Sequence, residues 1–172
     1  TGELGGLLID AAAPACKGYM KDYLHWLVSA AEGCGADIRL DTPVTPELVD
    51  QLAPDAVIVA LGAEPIRPPI PGADRANVIQ GVDVFGREEQ VGRRVVIIGG
   101  GQVGCETALH LAKLGKKVTI IEMQSALAPD ASKTHRDEML VEFDKEPNFI
   151  PVVNAKVSAV EPKAVTYEQD GN

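Results

Sequence analysis

Met20, Leu24, Leu27, Val28 and Ala31 recur three and four positions apart. That spacing marks one face of an α-helix and predicts a helix over residues 17–35, closed by Gly33 and Gly35. Ile38 and Leu40 then alternate with Asp37 and Arg39, the period of a short strand. Thr45-Pro46-Glu47 supplies an N-cap, a proline for the first helical position and a first-turn acid, predicting a short helix that ends near Leu52. Residues 56–60, Ala-Val-Ile-Val-Ala, are continuously apolar and β-branched, which predicts a strand buried on both faces.

Between Gly62 and Gly92 the pattern dissolves. Pro65, Pro68, Pro69 and Pro71 are followed by Gly72, Gly81, Gly86 and Gly92, a density that excludes regular helix or central strand. This stretch is read as a connection between two bodies, with one helical turn or a short strand at residues 82–85. Residues 94–98 restore an apolar strand pattern, and a helix is predicted over 102–114 with Cys105, Ala108, Leu109 and Ala112 on one face and Gly115 as its stop. A strand at 117–121 completes a β–α–β unit, the building block of parallel sheets. A loop at 125–130, a helix at 134–143 with Met139, Leu140 and Phe143 inward, and short strands at 149–152, 156–160 and 164–167 follow. Asp170-Gly171-Asn172 ends the sequence on a hairpin-turn signal.

Composition narrows the classes of function. The chain has 172 residues, 45% of them hydrophobic and 24% charged, an ordinary globular balance. Sixteen Lys and Arg against twenty-five Asp and Glu give a net charge of −9, which argues against nucleic-acid and anionic-membrane partners, since both require a basic footprint. A single nucleotide is still compatible, because backbone N–H groups can hold its few phosphates. Apolar runs reach only five or six residues, so no membrane span is expected, and Thr1 to Gly6 has no signal-peptide pattern. Cys16, Cys34 and Cys105 form no metal-ligand spacing with His25, His110 or His135. All three are expected to be buried thiols in a reducing, cytoplasmic setting.

Residues 99–104, Gly-Gly-Gly-Gln-Val-Gly, contain G-x-G-x-x-G with glycines at 99, 101 and 104. The motif follows a predicted strand, opens a predicted helix and lies inside the β–α–β unit, the context it needs to bind a dinucleotide. Gly99 permits the tight turn, Gly101 leaves room for a pyrophosphate, and Gly104 lets helix and strand pack closely. Gly100, Gln102 and Val103 complete the loop around the phosphates. Glu122, eighteen residues after Gly104, ends the next strand, where a carboxylate accepts hydrogen bonds from the adenosine ribose. Met123, Gln124 and Ser125 offer no cation for a 2′-phosphate, so the pattern favours NAD(H) over NADP(H). Glu106 stands in the same helix, either as an acid complementing the helix dipole and contacting His110 at (i, i+4), or as a site residue.

Residues 99–108 resemble the NADH domain of flavoprotein reductases with two dinucleotide-binding units, in which the NADH unit is inserted inside an FAD-binding unit. Within them the chain is similar to the C-terminal half of the NADH:flavin oxidoreductases related to 2,4-dienoyl-CoA reductase and trimethylamine dehydrogenase. Leu4-Gly5-Gly6-Leu7-Leu8 resembles the segment after the first FAD-binding βαβ, and residues 55–65 resemble the strand that passes the flavin nucleotide. Pro69-Ile70-Pro71-Gly72 resembles the connection into the NADH domain. The resemblance implies an α/β fold: a Rossmann-like NAD-binding domain of three-layer character, joined to a partial FAD-binding domain. It implies a partial FAD-binding domain at 1–64, a Pro/Gly-rich connection at 65–92 and a C-terminally incomplete NAD(H)-binding domain at 93–172. Leu61, Gly62 and Ala63 would lie near the flavin, with Leu61 where threonine is common, and Glu106 would orient the nicotinamide end without being catalytic.

The same resemblance implies hydride transfer from NADH to FAD in a parent enzyme acting on an enoate, dienoyl-type or flavin acceptor, with FMN and an iron–sulfur cluster possible outside this chain. The first FAD fingerprint, the later Gly-Asp segment, the cluster cysteines and a redox-active cysteine pair are missing from the sequence. The expectation is therefore a piece of a longer flavoenzyme, whose remainder, NADH and flavin are its partners. Two alternatives stand beside it: a non-catalytic NAD(H)-binding module, or part of an electron-transfer flavoprotein like the glutamate-synthase small subunit.

Overall fold

The computed structural model describes residues 1–14 and 17–171, so Cys16 and the final residue of the hairpin signal, Asn172, lie outside the described residues. The chain divides into two compact units, Thr1–Glu64 and Pro65–Asn172.

The first unit is helical. It contains α1 (Leu7–Ala11), α2 (Gly18–Gly33) and α3 (Pro46–Leu52), with α1 against α2. The expected stripe of α2 is its half-buried face, while Tyr19, Tyr23 and Trp26 are exposed. Thr45 caps α3 as expected: its Oγ1 accepts from the Leu48 N–H at 3.3 Å, with Pro46 next in sequence.

Two expected strands do not form. Residues 37–40 and 56–60 run without strand pairing, and Ile58 is 92% exposed rather than buried. A strand exists through its neighbours' hydrogen bonds, and no described residue of the first unit offers a paired strand beside either segment. The residue types that suit a doubly covered strand are present, but the covering layers are not.

The second unit holds the sheet. Strands β1 (Arg94–Ile98), β2 (Lys117–Ile121) and β3 (Phe149–Val152) form a parallel sheet in the order β1-β2-β3, while β4 (Ala155–Val160) and β5 (Val165–Gln169) pair as an antiparallel hairpin. The β1–β2 register runs from Arg94↔Lys117 to Ile98↔Ile121. This is a Rossmann-like α/β fold: two parallel strands connected by α4 (Gln102–Lys113), with α5 (Lys133–Phe143) leading to the third. The turn predicted at 82–85 is a short 3₁₀ helix, Gly81–Val84.

Period-two alternation assigns the faces of β2. Val118 and Ile120 join Cys105, Ala108, Leu111, Ala112, Met139 and Phe143 in one core beneath α4 and α5. Ile121 turns away and packs with Ala155 and Val157 of the hairpin. The end of α4 is fixed by a Schellman motif. Gly115 stands at φ +78° and its N–H reaches the Ala112 carbonyl at 2.8 Å, while Lys116 N–H reaches Leu111 at 3.2 Å. With strand, turn and helix each anchored, the loop joining β1 to α4 has little freedom.

Candidate dinucleotide-binding site

β1 ends at Ile98 and the chain reverses direction through Gly99, whose φ of +99° suits glycine. The Gly99 N–H donates to the Ile121 carbonyl at 3.0 Å, tying the turn to the end of β2. Gly101 is the N-cap of α4 in extended geometry. A Cβ on Gly104 would stand 2.1 Å from the Gly99 carbonyl oxygen, so only glycine lets α4 approach the turn this closely. A Cβ on Gly100 would meet the Leu127 side chain at 2.6 Å and Glu122 Cβ at 3.0 Å. At Gly101 the nearest atoms to such a Cβ are the carboxylate oxygens of Asp130, at 3.2 and 3.4 Å. Packing thus requires Gly104 and crowds Gly100 against two side chains, whereas Gly101 is bordered only by the Asp130 carboxylate.

Glu122 is buried at the end of β2. Its Oε2 accepts from the Gly100 N–H at 2.6 Å and its Oε1 from the Gln124 N–H at 2.7 Å. An ionised carboxylate has about four lone-pair sites, so two backbone bonds leave capacity for ribose hydroxyls. The sequence pattern suggested only the ribose contact; the structure adds a bond to the glycine loop itself.

Glu106 has different company from that expected of a simple helix contact. Its Oε1 accepts from Gln102 Nε2 at 3.0 Å and lies 2.8 Å from His135 Nε2 of α5. His110, the expected (i, i+4) partner, instead places Nε2 2.8 Å from Glu88 Oε1. Side-chain length decides this: Gln102, one turn earlier, reaches Glu106 along the same face, and α5 brings His135 across it. Val103 is exposed on the first turn.

Asp130 and His135 went unnoticed as site residues in the sequence. Asp130 Oδ1 accepts from the Gln102 N–H at 2.8 Å, taking up an amide that the helix leaves unpaired. Both contacts join residues 28 and 29 positions apart through tertiary packing, and no local spacing announces them.

Cys105 is buried beneath the loop, its Sγ donating to the Gly100 carbonyl at 3.3 Å, and burial pushes its thiol up to about 11. It is a packing residue and no nucleophile at neutral pH. Cys34 departs from the expectation of burial: it is exposed at the end of α2, with Sγ 3.0 Å from the Ala31 carbonyl. Among the described residues no group of His, Cys, Asp and Glu is arranged to hold a metal ion. Nor is any of their helices long and apolar enough to cross a membrane.

In the first unit, Leu61, Gly62 and Ala63 lie on an exposed segment without regular structure, with Gly62 at φ +77°. A concavity of about 730 Å³ in that unit is lined by Leu4, Ile9, Leu24, Val28, Ile38 and Leu40, among others, and by none of the expected site residues.

A glycine turn between a parallel strand and a helix, with a buried acid at the next strand end, defines a dinucleotide-binding protein of the α/β class. Residues 31–172 match the model of the pyridine nucleotide-disulphide oxidoreductase family, and the chain belongs to that family, whose members bind FAD and NAD(H). It is 41% identical over 151 residues to an NADH oxidase of Thermoanaerobacter brockii, covering 83% of this chain and 23% of the relative. It is 36% identical over 165 residues to a bilirubin reductase of Mediterraneibacter gnavus, covering 96% of this chain and 26% of the relative. The chain thus spans about a quarter of these relatives' length. A solved 2-naphthoyl-CoA reductase in complex with 2-naphthoyl-CoA shares the fold, with a TM-score of 0.87 at 23% identity, over 99% of this chain and 26% of that one.

Proposed function

We propose that this chain is the pyridine-nucleotide-binding part of a flavin-dependent NADH oxidoreductase. The observation that carries the reading is the pairing of Glu122 with Gly100 beneath a glycine turn that is closed at Gly104 and bordered at Gly101 only by the Asp130 carboxylate. The pyrophosphate lies over Gly101 and Gln102, where helix N–H groups and the dipole favour negative charge. Gly99, Gly100, Val103 and Gly104 shape that loop, and Glu122 accepts from the adenosine ribose. Without a cation at Met123, Gln124 or Ser125, a 2′-phosphate gains no partner and meets the carboxylate, so NADH is preferred to NADPH. Glu106, held by Gln102 and His135, orients the nicotinamide end.

Bound flavin supplies the two-electron acceptor for the hydride of NADH. This chain's own residues bind and orient the nucleotide, and none of them need exchange a proton with it. Residues 1–64 belong to an FAD-binding domain, with Leu61, Gly62 and Ala63 beside the flavin, and residues 93–172 form the NAD(H)-binding domain. The ordered motifs at 4–8, 55–65 and 69–72 support affiliation with the NADH:flavin oxidoreductases related to 2,4-dienoyl-CoA reductase and trimethylamine dehydrogenase. The acceptor is then an enoate, a dienoyl-type compound or a second flavin, and the free thiols of Cys34 and Cys105 suit the cytoplasm. Rapid mixing of the flavin-loaded parent enzyme with NADH in the absence of air tests the reading: bleaching of the flavin absorption by NADH supports it, and an unreduced flavin overturns it.

A further inference from the structure

Three carboxylates hydrogen-bond to the segment that carries the glycine loop. Glu122 takes the Gly100 N–H, Asp130 takes the Gln102 N–H, and Glu106 takes the Gln102 side chain. The protein's net charge of −9 adds to the same negative field. A pyrophosphate brought to Gly101 enters this field, against the favourable dipole of α4. His135 sets an imidazole against one of the three, with Nε2 2.8 Å from Glu106 Oε1. The side chains are only 29% and 11% exposed, so solvent screens the pair less than it would a surface pair.

We infer that His135 is a positioning residue for the nucleotide loop, and that its protonation strengthens pyridine-nucleotide binding. An ionised carboxylate only accepts, so His135 presents an N–H to Glu106 whether the ring is neutral or charged. The chain His135–Glu106–Gln102 therefore fixes the first residue of α4 with the imidazole neutral or charged, whereas the charge compensation is present only when the imidazole is protonated. Imidazoles change charge between about pH 5 and pH 8, while the pyrophosphate stays fully ionised. Affinity is then highest when His135 is protonated and falls as pH rises. Reciprocally, bound nucleotide holds the proton on His135 more tightly.

The neighbouring charged groups are otherwise engaged or fixed in charge. On α4, His110 pairs with Glu88, and Lys113 with Glu142. In the loop before α5, Asp130 accepts from the helix, and Arg136 Nε donates to the Leu127 carbonyl at 2.8 Å. Lys133, Asp137 and Glu138 complete the charges of α5 around His135. His110 is the other imidazole on these elements, so His110→Gln is the control.

The inference rests on the nucleotide-binding reading above. Calorimetric titration of the intact protein with NAD⁺ across about pH 5 to 8 tests both. The dissociation constant should rise about fivefold or more across that range. His135→Gln should flatten the dependence, and His110→Gln should keep it. A pH-independent constant in the unaltered protein, or an undiminished slope in His135→Gln, overturns the role of His135 alone. Absence of binding at every pH overturns the nucleotide-binding reading and this inference with it. Should His135→Gln fail to fold, His135→Lys keeps a positive charge across the whole range; an undiminished slope there also overturns the inference.

Discussion

The Gly100 N–H donates to Glu122 Oε2 at 2.6 Å, so the carboxylate expected to hold a ribose also holds the glycine turn. Replacing Glu122 with Ala leaves the Gly100 and Gln124 N–H groups without their acceptor in a buried position. Each such loss costs about 1–3 kcal/mol, so urea denaturation of Glu122→Ala should show a stability loss of at least that size. A variant as stable as the unaltered protein would show that water replaces the carboxylate at no cost.

Gly104 and Gly101 should respond in opposite ways. Gly104→Ala places a methyl 2.1 Å from the Gly99 carbonyl and should destabilise the fold by about 1–3 kcal/mol, measured by urea denaturation. Gly101 has an extended backbone that any residue adopts and only the Asp130 tip nearby. Gly101→Val should therefore keep its far-ultraviolet circular dichroism while losing NADH binding. Retained binding would mean that the nucleotide does not pass over Gly101.

Asp130 occupies the Gln102 N–H, a group to which the proposed site assigns the pyrophosphate. Asp130→Asn removes a negative charge beside the phosphates, and calorimetry should show NADH bound about two- to fivefold more tightly. Weaker binding would make Asp130 a support of the bound loop rather than a competitor.

The thiols differ in reactivity for a physical reason. Brief alkylation near neutral pH followed by peptide mapping should label exposed Cys34 and spare Cys105, whose thiol burial raises to about 11. Rapid labelling of Cys105 in the folded protein would contradict its burial beneath the loop.

Glu142 provides the pH signature of the α4–α5 contact. Lys113 and Lys145 hold its carboxyl down to about 2, below the 4.5 of a free glutamate. A carboxyl lowered in the folded state stabilises the fold above its unfolded value, and that stabilisation is lost as pH falls from about 4.5 to about 2. Glu142→Gln should lower stability in the region from pH 5 to 8 and flatten the acid limb of a stability-against-pH curve, the two proteins converging as pH falls towards about 2.

The second unit was legible in the sequence because its elements satisfy themselves locally. β1, α4 and β2 carry their own periodicity, glycine turn and C-terminal Gly115, and each lies where the pattern predicts. Residues 37–40 and 56–60 read equally well as strands, yet a strand needs neighbours and these have none among the described residues of their unit. At the site, the glycine motif and Glu122 stood out by spacing. The pairings Glu106–His135 and Gln102–Asp130 did not, since each joins α4 to residues beyond β2 through packing alone. Cys34 was misjudged because thiols are buried on average, and a helix end is an exception to that average.

Comparative titration of the intact protein with NADH and NADPH is the most direct measurement. The glycine turn with Glu122 beneath it predicts that NADH binds, and that NADPH binds at least about tenfold more weakly, a difference of about 1.4 kcal/mol. Equal affinities would contradict the role given to Glu122, and absence of NADH binding would contradict the assignment of the site.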